Sequence, residues 1–175
     1  GGMKGNGALV CKKTMRFLPL LSGGEQEKGL RAGTVDVAGA KAMAVALQLA
    51  EKNKKANLDR MEHLRDSFVE KLRHIEGIVM NSPSNASPYV IDFSLRNHKA
   101  SVVVEALSNR GFDVSSVSAC SSKGEPSSYV LLAMGKDPRL AANPIRVSFL
   151  PSTGEDELDS FIAALTRILQ EVRPL

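Results

Sequence analysis

Hydrophobic positions change period along this chain. Ala8-Leu9-Val10-Cys11 is a short apolar run between a glycine-rich opening and Lys12-Lys13, and it predicts a strand. Residues 19–34 carry no periodic pattern. They are rich in glycine, with one proline and several charges, and predict a long loop of the kind compact domains keep for function. From Val37 to Lys55 the apolar residues Val37, Ala40, Ala44 and Leu47 fall at helical spacing. Asn57 then offers a cap or a break. Leu58, Met61, Leu64, Phe68, Leu72 and Ile75 repeat every three or four residues, which predicts a second amphipathic helix ended by Gly77.

Beyond Gly77 the rhythm shortens. Ile78-Val79-Met80, Tyr89 to Leu95, Phe112-Asp113-Val114 and Ile145 to Phe149 read as strands. Lys99 to Leu107 reads as a helix, and Tyr129 to Met134 as a short helix stopped by Gly135. Ser152 or Thr153 is expected to cap a final helix, whose first turn holds Glu155, Asp156 and Glu157 at its positive end. Leu158, Phe161, Ile162, Leu165, Ile168, Leu169 and Val172 give that helix its buried face. This alternation implies an α/β fold class, a few strands with helices on one face. The expected organisation is a strand and Gly-rich loop in residues 1–36, connecting helices in 37–76 and a small α/β domain in 77–175.

Composition narrows the function classes. A chain of 175 residues with 43 % hydrophobic and 24 % charged residues has the make-up of a globular protein rather than a disordered one. Its net charge of +4, with six Phe, two Tyr and no Trp, supplies neither the cation cluster nor the stacking platform of a nucleic-acid binder. The best apolar stretch, Ala38 to Ala50, is interrupted by Lys41 and Gln48 and falls short of the ~20 residues a membrane span needs. Two cysteines cannot make a disulfide framework and fit a reducing compartment, so a cytoplasmic location is expected.

Three places could carry chemistry. Cys120 lies in Ser118-Ala119-Cys120-Ser121-Ser122 with Lys123 nearby; it is either an accessible nucleophile assisted by the cation or an inert buried thiol. Cys11, in its apolar run, reads as a core residue. The loop Gly23 to Thr34 is either a ligand cradle, with Thr34 able to donate to a phosphate, or a plain turn before a helix. Arg146 stands inside an apolar strand and must either reach solvent or meet an anion, for which a guanidinium suits a carboxylate. His63, His74 and His98 show no metal-ligand spacing, and no metal site is assigned.

Taken in order, these motifs resemble the C-terminal portion of a cysteine desulfurase, in the class V group of pyridoxal-phosphate enzymes. Gly2-Met3-Lys4-Gly5-Asn6-Gly7-Ala8-Leu9 resembles that family's Gly-Pro-Lys-Gly-x-Gly-Ala-Leu segment, with Met3 in place of proline. Gly23 to Thr34 resembles its Gly-Gly-Gln-Glu-x-Gly-x-Arg-x-Gly-Thr signature, with Ser22 and Glu25 as departures. The Cys120 loop, Glu125-Pro126-Ser127 with Tyr129-Val130-Leu131, and Ile145-Arg146-Val147-Ser148-Phe149 follow in the family's order.

The resemblance implies the small C-terminal α/β domain of the aspartate aminotransferase type of fold plus a strip of its large domain. It implies that Cys120 takes sulfur from L-cysteine as a persulfide, releasing alanine, and that Arg146 clamps the substrate carboxylate. It implies that Thr34 donates to the phosphate of pyridoxal phosphate across a homodimer interface, and that a sulfur-acceptor protein takes the product onward, as in iron–sulfur cluster assembly. The Schiff-base lysine of the family would fall before Gly1, and Lys4 matches a later lysine, so the chain alone is expected not to catalyse desulfuration. The alternatives are a selenocysteine lyase or aminotransferase of the same class, or a non-catalytic sulfur-carrier or partner-binding module.

Overall fold

The computed structural model describes residues 2–116 and 127–175. Its contacts divide into two units, Gly1–Lys55 and Ala56–Leu175.

In the first unit, residues 2–36 are irregular apart from one short 3-10 turn, Gln26–Gly29. The strand expected at Ala8 to Cys11 does not form. Backbone groups in a strand need a partner ladder, and no described residue supplies one. Val10 is 95 % exposed, Leu18 94 % and Leu20 99 %. Cys11 is exposed as well, which corrects its reading as a core residue.

Helix α1 runs Val37–Arg73 without interruption. The break expected at Asn57 is absent: an interior asparagine costs a helix only about 0.7 kcal/mol relative to alanine, and neither Gly nor Pro follows until Gly77. The helix starts at Asp36, whose Oδ1 accepts from the Gly39 amide at 2.9 Å. Gly39 is buried there, and an added Cβ would overlap the Asn6 amide and Asp36 Oδ2.

The second unit is built on an antiparallel sheet of four strands, β1 (Ile78–Met80), β2 (Val90–Leu95), β3 (Ser115–Ser116) and β4 (Pro144–Ser148), in the order β1-β2-β4-β3. Helices α2 (Ala100–Ser108), α3 (Tyr129–Ala133), α4 (Pro138–Ala141) and α5 (Glu155–Glu171) complete it. The strand expected at Phe112 to Val114 forms at β3 instead, while Phe112 packs against the core.

Alternation sets the two faces of the sheet. Ile91, Phe93 and Leu95 on β2 pair with the neighbourhood of Ile145 and Val147 on β4 and point into the core. Met61, Leu64, Phe68 and Leu72 of α1, Val103 and Leu107 of α2, and Leu158, Phe161, Leu165 and Ile168 of α5 fill it. Phe68 sits at its centre, edge-on to Phe149 at 5.3 Å and tilted against Phe161 at 5.6 Å.

The expectation of helices on one face only is corrected at β2. Ser94 points away from the core, is fully buried, and donates to Leu140 O in α4 at 2.8 Å. Helix α4 has no periodic apolar pattern, and its start is marked by Asp137-Pro138: Asp137 Oδ1 accepts from the Arg139 amide at 2.8 Å and Pro occupies the first turn. The cap of α5 also differs. Gly154 is the N-cap, without a side-chain bond, and Thr153 Oγ1 accepts instead from the Leu150 amide at 3.0 Å, closing the preceding turn. The acidic first turn of α5 is as expected.

Candidate functional site

Arg146 is presented by the middle of the sheet. Because Ile145 and Val147 enter the core, the residue between them must emerge on the other face. Its direct cross-strand partners are Asp92 on β2 and Ser115 on β3, so the three share that face. The side chain is exposed, and no carboxylate oxygen of a described residue lies within 4.0 Å of its guanidinium. Its donors, unpaired among the described residues, are thus presented from a paired strand, which suits a planar anion such as a carboxylate.

Asp92 is a counter-charge that interacts with Arg146 across the strand pair, and it is held elsewhere. Its Oδ1 accepts from Asn81 Nδ2 at 2.7 Å. Its backbone is fixed from the same side: Asp92 N–H donates to Ser82 Oγ at 2.8 Å, and its carbonyl accepts from the Asn81 and Ser82 amides at 2.9 and 3.1 Å. Burial raises the Asp92 carboxyl pKa above the usual range, while the Asn81 hydrogen bond and the charges of Arg146 and Lys136 pull it back. Lys136 Nζ donates to Met80 O at 3.3 Å.

Asn81 is 3 % exposed, and its amide nitrogen also donates to Ser94 Oγ at 2.7 Å. Its Oδ1 is buried with no partner. Swapping the amide ends would set two oxygens against each other at Asp92, so both N–H groups are committed at the cost of an orphaned carbonyl. Periodicity did not single out Asn81 or Asp92. The available signal was a carboxylate at the polar parity of a half-buried strand, two residues before Ser94.

Thr34 lies in the first unit. The loop leading to it is pinned by Gln26, whose Oε1 accepts from the Gly33 amide at 3.2 Å and whose side chain fills the space a Cβ on Gly24 would need. Gly29 and Gly33 take φ of 74° and 106°, and Glu27 and Lys28 also adopt left-handed φ of 51° and 60°. Non-glycine residues reach that region only at a conformational cost, so this loop is held in an unusual shape. Thr34 is exposed, and its hydroxyl has no hydrogen-bond partner among the described residues, which leaves it free to donate to a phosphate. Cys120 lies outside the described residues. His63 and His74 are on the surface of α1, and no group of potential metal ligands occurs among the described residues.

Known proteins resemble this chain in sequence and in fold. Residues 1–161 match the family model for aminotransferase class-V. A cysteine desulfurase IscS of Dictyoglomus turgidum is 35 % identical over 176 residues, covering 99 % of this chain. An IscS-like cysteine desulfurase of Mycobacterium tuberculosis is 32 % identical, also over 99 % of this chain. The chain spans 45 % of the length of each of these two relatives. Among solved structures, a NifS-like protein superposes with a TM-score of 0.80 at 32 % identity, over 92 % of this chain and 41 % of the other. No helix among the described residues is long and apolar enough to cross a membrane.

Proposed function

Since the chain belongs to the aminotransferase class-V family, we propose that it carries part of a pyridoxal-phosphate-dependent cysteine desulfurase, with Arg146 as the clamp for the α-carboxylate of L-cysteine. The observation that carries this reading is the guanidinium of Arg146, exposed on the sheet face opposite the core and without an ion pair to any described residue. Thr34 is the residue of this chain that fits the cofactor's phosphate, through a hydroxyl with no partner among the described residues at the end of the Gln26-pinned loop. Bound there, the cofactor supplies an electron sink for bond breaking at the substrate's carbon skeleton.

Arg146 orients the substrate through two parallel hydrogen bonds to its carboxylate. The Cys120 thiolate attacks the substrate's sulfur; the carbon–sulfur bond breaks, its electron pair passes to the carbon skeleton, and protonation there releases alanine. Sulfur stays on Cys120 as a persulfide for a sulfur-acceptor protein. In this reading residues 1–36 are a strip of the larger cofactor-binding domain, 37–76 the connection and 77–175 the small domain. The exposed Val10, Leu18 and Leu20 support a surface that the rest of that larger domain covers in the assembled enzyme, which is a homodimer in this reading. A cytoplasmic location completes the proposal.

The test uses a longer protein that includes these residues, loaded with pyridoxal phosphate and given L-cysteine. With a thiol reductant added to free the persulfide sulfur, sulfide and alanine are expected in equal amounts. Arg146→Ala should raise KM for cysteine by about one to two orders of magnitude, the range of a charge-assisted hydrogen-bonded pair. Cys120→Ala should abolish the protein-bound persulfide. Amino-group transfer to a keto acid without sulfide would replace this reading by an aminotransferase.

A further inference from the structure

The face that carries Arg146 contains a competitor for it. Asp92 stands directly across the strand pair, on the same side of the sheet, and its charge is felt by the guanidinium. A carboxylate and an arginine placed this way ordinarily close into an ion pair. Here they do not, since no carboxylate oxygen lies within 4.0 Å of Arg146 among the described residues. The Asp92 carboxylate is instead bonded to Asn81 Nδ2 at 2.7 Å.

The restraint is built rather than incidental. Asn81 is buried, and its second N–H is anchored on Ser94, which is anchored in turn on Leu140 O. The amide can neither rotate nor exchange its ends without losing both bonds, and it leaves its own Oδ1 unsatisfied to keep them. Ser82 and Asn81 also hold the Asp92 backbone from β1's end.

We propose that Asn81 is a positioning residue that holds the Asp92 carboxylate off the Arg146 guanidinium, so that Arg146 stays open to a substrate carboxylate. The inference rests on the reading of Arg146 as that carboxylate's clamp. Asp92 then acts as a restrained rival: near enough to weaken the grip of Arg146 on an anion, too tightly held to replace it. This tunes the site towards release of the product as well as capture of the substrate.

The experiment measures kcat and KM for L-cysteine, and the dissociation constant of L-alanine from the cofactor's absorbance, in the cofactor-loaded longer protein. Asn81→Ala frees Asp92 to close on Arg146. KM and the alanine dissociation constant should each rise about tenfold, the equivalent of one lost charge-assisted hydrogen bond, with kcat changed much less. Asn81→Ala combined with Asp92→Asn should restore both constants, because the rival charge is gone. Asp92→Asn alone keeps an acceptor for Asn81 and should leave KM at or below the parent value. A rise in KM in Asp92→Asn alone, or a double variant as weak as Asn81→Ala, would overturn the inference and mark the effect of Asn81 as structural. Arg146→Ala separates the two levels. If it raises KM while Asn81→Ala does not, the inference fails and the clamp stands; if it leaves KM unchanged, the clamp fails and takes the inference with it.

Discussion

The two units solve the problem of order in different ways. Residues 56–175 bury a continuous apolar cluster under a sheet, with three phenylalanine contacts at its centre. The first unit buries almost nothing, and its order is local: Asp36 caps a helix, Gln26 pins a glycine loop, and large apolar side chains lie open. A core makes order cooperative, while capping and pinning make it piecemeal. The candidate residues follow this division. Arg146 rides on a packed strand, and Thr34 ends a loop held by one side chain.

The sharpest way to break the contrast is to remove the centre of the core. Phe68→Ala should cost about 3–5 kcal/mol in denaturant unfolding, because its ring is fully buried against Phe149 and Phe161. A loss near zero would mean that the second unit does not depend on its core. A smaller effect is expected at the start of α1, where Asp36→Ala should cost about 1 kcal/mol of local stability. It should appear as faster amide exchange at residues 37–40, with the unfolding midpoint of the second unit unchanged. A shifted midpoint would show that order is not piecemeal there.

The smallest effect is electrostatic. Burial raises the Asp92 pKa, so the folded chain binds that proton more tightly than the unfolded chain, where the pKa is near 3.8. Its ionisation therefore lowers stability as pH rises from about that value through the raised folded one. Asp92→Asn removes the penalty and keeps the bond from Asn81. The variant should melt above the parent at pH 7, and the gap should close at pH 3. A gap that widens in acid would reverse the sign argued for Asp92.

Sequence made the second unit largely legible, since alternation at Tyr89 to Leu95 and Ile145 to Phe149, and three- and four-residue spacing from Met61 to Leu72, are signals of burial. It failed where order is not a matter of burial. The Ala8 to Cys11 run looks like a strand because it is apolar, but a strand needs a neighbour that pattern cannot supply. Asn57 carries too small a helix penalty to break α1, and the four residues of α4 are too few to show a period. At the site, Arg146 was visible as a charge in an apolar strand. Asn81 was not, for its role comes from a hydrogen bond across β1 and β2 rather than from any pattern within its own segment. The same limit hid the Gln26 bond that shapes the approach to Thr34.

Ser94 carries a last consequence. Its one hydroxyl accepts from Asn81 and donates to Leu140 O, so the position of a single hydrogen is fixed from both sides. The network consequently has a wiring polarity, running from the asparagine amide through the hydroxyl to a helix carbonyl, and it cannot be reversed, because the carbonyl has no hydrogen to return. Helix α4, through this relay, thereby reinforces the choice the Asp92 oxygen already imposes on which end of Asn81 faces the carboxylate. A turn of backbone forty-six residues from Ser94 in sequence acts as the reference terminal for the charge beside Arg146.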